Sequence, residues 1–308
     1  MWHQTCCLCW VGFPEDSVTL SKVGGIMKTA MTLQFWGVRG SIPTAELSTL
    51  RYGGNTACVS LDLGHHTCLV LDAGTGMRPL GEAIAMRDTD IFVLLSHAHW
   101  DHIQGFPFFA PLYQPHRRIS LLPTPMGHTL WCAPLDQMDG THFPVTPEEL
   151  PAEVLCLMEG GQAVFQERGC SLEWIATNHP GGGAGYRIEH EGRSVVYLTD
   201  NELEPPCKKT TEFDQFAAFC RHTDVLIHDA QYLQSDMPAK HGWGHSLVRQ
   251  ACQLAVAAEV KHLILFHHDP ERTDDGLDAI QEAERAWLHT QDRHMQCTVA
   301  YEGLVVEL

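Results

Sequence analysis

Ile91-Phe92-Val93-Leu94-Leu95-Ser96-His97-Ala98-His99-Trp100-Asp101-His102 is an apolar, strand-like run that passes directly into three imidazoles and a carboxylate. Each of those polar groups, buried and unpaired, would cost about 1–3 kcal/mol. A bound metal removes that cost. A turn leaving the strand can aim His97 and His99 at one ion and Asp101 and His102 at a second, the layout of a two-metal site. Imidazole and carboxylate donors together suit zinc, manganese or iron. A histidine-rich surface turn is the plain alternative, and the apolar strand in front argues against it.

The arrangement recurs downstream. His179 in Thr177-Asn178-His179-Pro180, Asp200 after Val195-Val196-Tyr197-Leu198-Thr199, and His267 after Leu263-Ile264-Leu265-Phe266 each end an apolar run. Strand ends are where a sheet scaffold presents chemistry. His268 stands beside His267, and successive strand residues point to opposite faces, so the two are alternatives. An aspartate at 200 suits a bridging position, because one carboxylate can offset charge on two cations about 3.5–4 Å apart; a turn-forming aspartate is the other reading. Asp72, at the end of Leu69-Val70-Leu71, can either orient a ligating imidazole or cap a turn.

Short β-rich runs fill residues 31–36, 57–63, 67–72 and 91–95, and a second series covers 153–158, 171–176, 185–189, 194–199, 225–228 and 262–266. Leu247, Ala251, Leu254, Ala255 and Ala258 follow Ser246 at helical spacing, which predicts a helix with Ser246 as its N-cap. Leu277, Ile280, Ala283 and Trp287 predict another from Asp274 to about His289. Two β-rich halves, each carrying helices, predict an α/β fold of two face-to-face sheets with helices outside. The proline-rich span from Pro123 to Pro151 reads as an inserted loop, either a lid over the site or a surface excursion. Residues 1–30 precede the first strand-like segment and read as an N-terminal appendage to a single domain over 31–308.

The balance of 20 Lys+Arg against 38 Asp+Glu gives a formal charge of −18, which repels polyanions at long range. Long nucleic acids are therefore disfavoured partners. The twelve cysteines are mostly scattered singly through apolar segments, as expected of reduced thiols in a cytoplasmic protein. Cys6, Cys7 and Cys9 cluster, but no second cysteine pair stands at zinc-ribbon spacing. No apolar run approaches a membrane span, and the N-terminus lacks the pattern of a secretory signal.

His97, His99, Asp101 and His102 match H-x-H-x-D-H, and with them the chain resembles the metallo-β-lactamase fold superfamily over roughly residues 31–308. Phe35-Trp36-Gly37-Val38-Arg39-Gly40-Ser41, Asp72-Ala73-Gly74-Thr75-Gly76 and Gly242-Trp243-Gly244-His245-Ser246 resemble its phosphodiesterase branch, which includes tRNase Z, PhnP and cyclic-nucleotide phosphodiesterases. The resemblance implies a four-layer αβ/βα sandwich of two mixed β-sheets flanked by helices. It implies that His97, His99 and His179 hold one metal and Asp101, His102 and His267 the other, with Asp200 bridging. It favours His267 over His268, and it implies a homodimer.

Two metals bridged by water draw its pKa from 15.7 toward about 7, so hydroxide forms at neutral pH beside a polarised electrophile. Phosphodiesters, lactams, lactones and thioesters all qualify as that electrophile. Expelling an alkoxide from a phosphodiester benefits from a proton donor. His245 is the candidate, held protonated by Asp229 at the end of Leu226-Ile227-His228, and this pair resembles the acid-and-histidine pair of superfamily phosphodiesterases. Asp101 completes the catalytic set. Helix capping or a surface position is the bland reading of His245. Gly181-Gly182-Gly183 can open backbone N–H groups to phosphate, whereas Arg39 and Asn55 read first as solvated loop residues.

The leading expectation is thus a dinuclear, zinc-dependent phosphodiesterase acting on a small cyclic nucleotide or related phosphodiester, with manganese as the second candidate metal. The alternatives are a tRNA 3′-processing endonuclease, a lactonase or thioesterase of the same fold, and a non-catalytic nucleotide sensor. The first would need a basic surface or RNA-binding arm, and no Gly/Lys/Arg-rich insertion is present in the sequence.

Overall fold

The uninterrupted apolar runs become the central strands of two sheets, because a strand covered on both faces has no side on which to place polar residues. A computed structural model describes residues 31–125, 132–157, 162–291 and 295–308. The expected appendage, residues 1–30, and its cysteine cluster lie outside the described residues.

The first sheet contains β1 (Thr32–Gly37), β2 (Cys58–Asp62), β3 (Thr67–Leu71), β4 (Asp90–Leu94), β5 (Arg118–Leu121), β6 (Glu153–Cys156) and, returning from the far end of the chain, β13 (Val305–Glu307). Its spatial order is β13-β1-β2-β3-β4-β5-β6. Pairing is antiparallel from β13 to β3 and parallel from β3 to β6. The second sheet contains β7 (Cys170–Ala176), β8 (Ala184–His190), β9 (Arg193–Leu198), β10 (Val225–Asp229), β11 (His262–Phe266) and β12 (Gln296–Val299), ordered β12-β11-β10-β9-β8-β7. It too is antiparallel on one side, β7 to β9, and parallel on the other.

The sheets pack face to face through Leu33, Phe35, Leu69, Leu71 and Phe92 on one side and Tyr186, Val195, Tyr197, Ile227 and Phe266 on the other. Helix α1 (Met77–Ile84) covers the outer face of the first sheet with Met77, Leu80 and Ile84. On the outer face of the second lie α4 (Phe213–Phe219), α5 (Val248–Ala257) and α6 (Asp274–Thr290). Two shorter helices, α2 (Ala133–Asp136) and α3 (Gln162–Gln166), complete the set. The result is the expected four-layer αβ/βα sandwich of two mixed sheets.

All ten expected β-runs form strands, whereas β5, β12, β13 and the helices α1, α2, α3 and α4 have no counterpart in the sequence reading. Ser246 is not the cap of α5. That position belongs to Leu247, and the Ser246 hydroxyl is taken up by donating to the Asn201 carbonyl at 2.6 Å and accepting from Leu203 N at 3.2 Å. For α6 the cap is Thr273, whose side chain accepts from Gly276 N.

The described part of the 123–151 span packs on the outer face of the first sheet through Leu135, Phe143 and Val145. It brings Cys132 against β6, where it is disulfide-bonded to Cys156 with Cα atoms 6.3 Å apart. The other described cysteines are free, and only Cys207 is exposed. No helix among the described residues is long and apolar enough to cross a membrane.

Candidate metal centre

Parallel strands send their C-terminal ends to one edge of the sandwich, and five of those ends supply the site: Asp72 after β3, His97 after β4, Asp200 after β9, Asp229 ending β10 and His267 after β11. Asp72, Asp200 and His267 turn out of their strands with φ of 59°, 47° and 61°, the left-handed region that non-glycine residues rarely adopt. Three such residues at the ends of three strands, all aimed at one spot, mark a site that the surrounding fold holds under strain.

His99 is extended and leads into a single 3-10 turn, Trp100–His102, which brings the His102 ring back against that of His97 at 4.3 Å between centroids. His179 sits in the β7–β8 connection, where Gly182 donates its N–H to the His179 carbonyl at 2.9 Å. The glycine run therefore closes a tight turn, and at least its central N–H is committed within the chain.

Around Asp200 the seven candidate ligands meet. Its Oδ2 lies 3.6 Å from both His97 Nε2 and His179 Nε2, while its Oδ1 lies 3.2 Å from both His102 Nε2 and His267 Nε2. One carboxylate thus offers an oxygen to each of two clusters. Asp101 Oδ2 stands 3.3 Å from His102 Nε2 and from His267 Nε2, and His99 Nδ1 stands 3.0 Å from His179 Nε2. His97, His99, His179 and Asp200 have ligand atoms within 4.8 Å of one another, and so do Asp101, His102 and His267.

The donor set fits metal ions on three grounds. His97 Nε2 is buried with no hydrogen-bond partner, a position natural nitrogen donors rarely occupy without a ligand. No lysine or arginine among the described residues pairs with Asp72, Asp101 or Asp200, so the buried negative charge lacks a protein cation. Burial, reinforced by His102, lowers the His97 pKa, and burial does the same for His179; against the opposing effect of burial, neighbouring imidazoles hold Asp101 and Asp200 below the usual carboxylate range, while those carboxylates and Asp72 raise His102 against its burial, as they would with no other cation between them. Neutral imidazole and ionised carboxylate are the ligating forms.

A second tier of groups fixes the rings. His102 Nδ1 donates to Asp72 Oδ2 at 2.7 Å, His179 Nδ1 to the Gly244 carbonyl at 3.0 Å, and His267 Nδ1 to Gln231 Oε1 at 3.1 Å, leaving each Nε2 turned inward. Asp72 also accepts from Ser96 N, Ser96 Oγ and the Tyr197 hydroxyl. The backbone N–H of Ser41 donates to Asp101 Oδ2 at 2.7 Å. Glycine is required at 40 and 244, because a Cβ there would lie 2.5 Å from His267 Nδ1 and 2.2 Å from His179 Nδ1.

His245 and Asp229 stand beside this cluster. His245 Nδ1 donates to Asp229 Oδ2 at 2.7 Å, and its ring stacks on His267 with centroids 5.1 Å apart. Burial alone would lower its pKa, but Asp229, with Asp200 and Asp101 behind it, pushes it up to about 9. The His245–Asp229 contact uses Nδ1 and leaves Nε2 outside it, and His245 falls with Asp200, Asp229 and His267 in a third group whose ligand atoms lie within 4.8 Å of one another. His268 points elsewhere: it donates to the Ala300 carbonyl at 2.8 Å, and burial lowers its pKa to about 3.

Arg39 and Asn55 depart from their sequence reading. Arg39 is fully buried, donating to the carbonyls of Gly53, Asp269 and Arg272, and Asn55 is bound by Glu302. Arg39 is thus not solvated, and half-buried Asn55 has its backbone and side-chain N–H groups committed to Glu302. The residues missed from sequence are Ser96, Tyr197 and Gln231. A hydroxyl inside the apolar run of β9 was the one available hint, since a buried phenol needs a partner.

Comparison with known proteins identifies the family and the fold. The family model described as "Beta-lactamase superfamily domain" matches residues 67–268. Ribonuclease Z of Thermoplasma acidophilum is 33% identical over 116 residues, 36% of this chain and 34% of that relative, so this match spans about a third of the relative's length. Ribonuclease Z of Halalkalibacterium halodurans is 26% identical over 312 residues, 86% of this chain and 96% of the relative. The crystal structure of the metallo-beta-lactamase fold protein YhfI from Bacillus subtilis superposes with a TM-score of 0.65 at 20% identity, covering 91% of this chain and 100% of YhfI, a likeness of fold. With a family match across most of the sandwich and the strand-end residues meeting at one edge, the chain belongs to the metallo-β-lactamase fold superfamily.

Proposed function

We propose that the protein is a dinuclear metal-dependent phosphodiesterase acting on a small phosphodiester, most readily a cyclic nucleotide. The observation that carries this reading is the Asp229–His245 pair set against the candidate metal centre, its imidazole held through Nδ1 and its Nε2 left outside that contact. Thioester hydrolysis would not need such a proton donor beside the metals, because a thiolate departs more readily than an alkoxide.

His97, His99 and His179 would hold one divalent ion, Asp101, His102 and His267 the other, with Asp200 between them; zinc suits this imidazole-rich set. Two divalent ions in such a site supply an activated water and polarise the phosphoryl group. The remaining work falls to the chain. His245 gives its Nε2 proton to the departing oxygen, and Asp229 keeps the imidazole protonated and in register. Ser41 N–H fixes the Asp101 carboxylate, and Asp72 fixes His102. His99 is exposed and His179 half-buried while His97 and Asp200 are buried, which gives substrate a solvent-facing approach on the His99 side.

A second reading is RNA processing, favoured by the ribonuclease Z relatives. The charge of −18 weighs against a long polyanion. The test is turnover by metal-loaded protein of 3′,5′-cyclic mono- and dinucleotides, of bis(p-nitrophenyl) phosphate and of a structured precursor tRNA. Cyclic-nucleotide turnover exceeding tRNA cleavage is expected. Selective cleavage of the tRNA would replace the proposal with the RNA reading, and stoichiometric metal without hydrolysis of any diester would leave a nucleotide sensor.

A further inference from the structure

Trp100 stands between His99 and Asp101 in the chain, yet it is 68% exposed; Phe108 nearby is 57% exposed. Singly exposed apolar side chains are common on a surface, but these two share one concavity. They line a cavity of about 560 Å³ whose far wall is Phe143, packed edge-on to Phe108 at 5.4 Å. That wall comes from the proline-rich insertion, the one motif in the sequence for which the metal centre has no use.

The cavity also has a polar edge with a definite character. Gln137 Nε2 is spent on the carbonyls of Ile103 and Pro134 at 2.7 and 3.0 Å, so Gln137 presents its Oε1 as an acceptor. The Asp136 carboxylate, exposed at the same wall, accepts no hydrogen bond from another described residue. Aromatic faces with an acceptor edge match a planar ring bearing N–H donors. Adenine, cytosine and guanine carry an exocyclic amino group of that kind, whereas uracil does not.

We infer that this cavity binds the nucleobase of the substrate, stacking it on Trp100 and Phe108 and reading an amino group with Gln137 and Asp136. The inference deepens the phosphodiesterase reading and rests on it for the placement of the phosphate. Trp100 is the chain neighbour of His99 and Asp101, its Cα roughly 4 Å from each of theirs, so one wall of the cavity is continuous in the chain with the ligand motif. The insertion thereby selects the substrate, while the sandwich performs the chemistry.

The test is equilibrium binding of AMP, UMP and ribose 5-phosphate to the full-length, metal-loaded protein, with metal content measured in every variant. AMP should bind about 10-fold or more tighter than ribose 5-phosphate, with UMP between them. Trp100→Ala and Phe108→Ala should each erase most of that preference while leaving ribose 5-phosphate affinity unchanged; Phe108 lies outside the ligand motif, so its variant separates base stacking from disturbance of the metals. Gln137→Ala should bring AMP toward UMP. Equal affinity for AMP and ribose 5-phosphate, absence of AMP binding, or a preference that survives both aromatic substitutions would overturn the inference. The two readings fail separately. Base preference without diester hydrolysis keeps the pocket and removes the phosphodiesterase; hydrolysis of bis(p-nitrophenyl) phosphate without base preference does the reverse.

Discussion

Asp72 accepts the Nδ1 proton of His102 at 2.7 Å across thirty positions of sequence, and the same carboxylate collects Ser96 and the Tyr197 hydroxyl from the facing sheet. One buried oxygen pair therefore ties the two sheets together directly behind the metal centre. Asp72→Asn keeps the size of the side chain but removes its charge and one acceptor. Metal affinity should fall about 10–100-fold, measured by competition with a chromogenic chelator. Tyr197→Phe, which removes one donor and leaves the carboxylate its other partners, should cost about 1 kcal/mol of stability in denaturant unfolding with a smaller change in affinity.

His245→Ala should lower phosphodiester turnover about 10²–10⁴-fold with metal stoichiometry unchanged, because His245 supplies a proton and is not among the seven meeting at Asp200. Asp229→Asn retains an oxygen for Nδ1 but loses the charge that favours the imidazolium, so it should fall between wild type and His245→Ala. The check compares turnover of a diester with a poor alkoxide leaving group and one with a p-nitrophenolate. The defect should shrink for the better leaving group; an equal defect on both would place His245 outside proton donation.

Much of this architecture is legible in the chain, and the boundary of legibility is physical. Residues 91–95 and 263–266 are buried on both faces and so are apolar throughout, and a ligand at the end of such a run stands out. Strand β13 is three residues long with partly exposed side chains, and β5 is four, too short for period or composition to register. The Ser246 cap was misplaced because a hydroxyl before a helix has two uses, and a long-range contact with Asn201 won over the local one. Arg39 shows the same limit, since nothing local in Gly37-Val38-Arg39-Gly40 announces three carbonyls arriving from residues 53, 269 and 272. His267 and His268 could not be separated by alternation alone, because the left-handed turn at 267 breaks the strand geometry on which alternation depends.

Gly244→Ala should damage the centre from outside the ligand set. The residue has φ of 92°, and an added methyl carbon would lie 2.2 Å from His179 Nδ1, the atom that the Gly244 carbonyl now fixes. Backbone strain of this kind costs about 1–3 kcal/mol. Thermal unfolding should show that loss. Metal analysis should show one of the two ions weakened more than the other, because His179 belongs to only one of the two clusters.

Asp224 gives a pH dependence whose sign can be worked out away from the metals. It accepts from Ser194 N at 2.8 Å and from Lys261 Nζ at 2.6 Å, joining the starts of β9, β10 and β11. Burial raises its pKa, but the Lys261 and Ser194 hydrogen bonds outweigh that and hold it below the ordinary carboxylate value. A folded-state pKa depressed below the unfolded one contributes stability that is fully present above the unfolded value, about 3.9, and is lost as pH falls through the folded value. Asp224→Asn should therefore cost about 1 kcal/mol near neutrality, a modest figure because Lys261 is largely exposed. Denaturant unfolding at a series of pH values should show the gap between variant and wild type closing on acidification below about pH 4. A gap that stays constant down to strongly acidic pH would mean that the asparagine costs packing or geometry, with no contribution from the carboxylate charge.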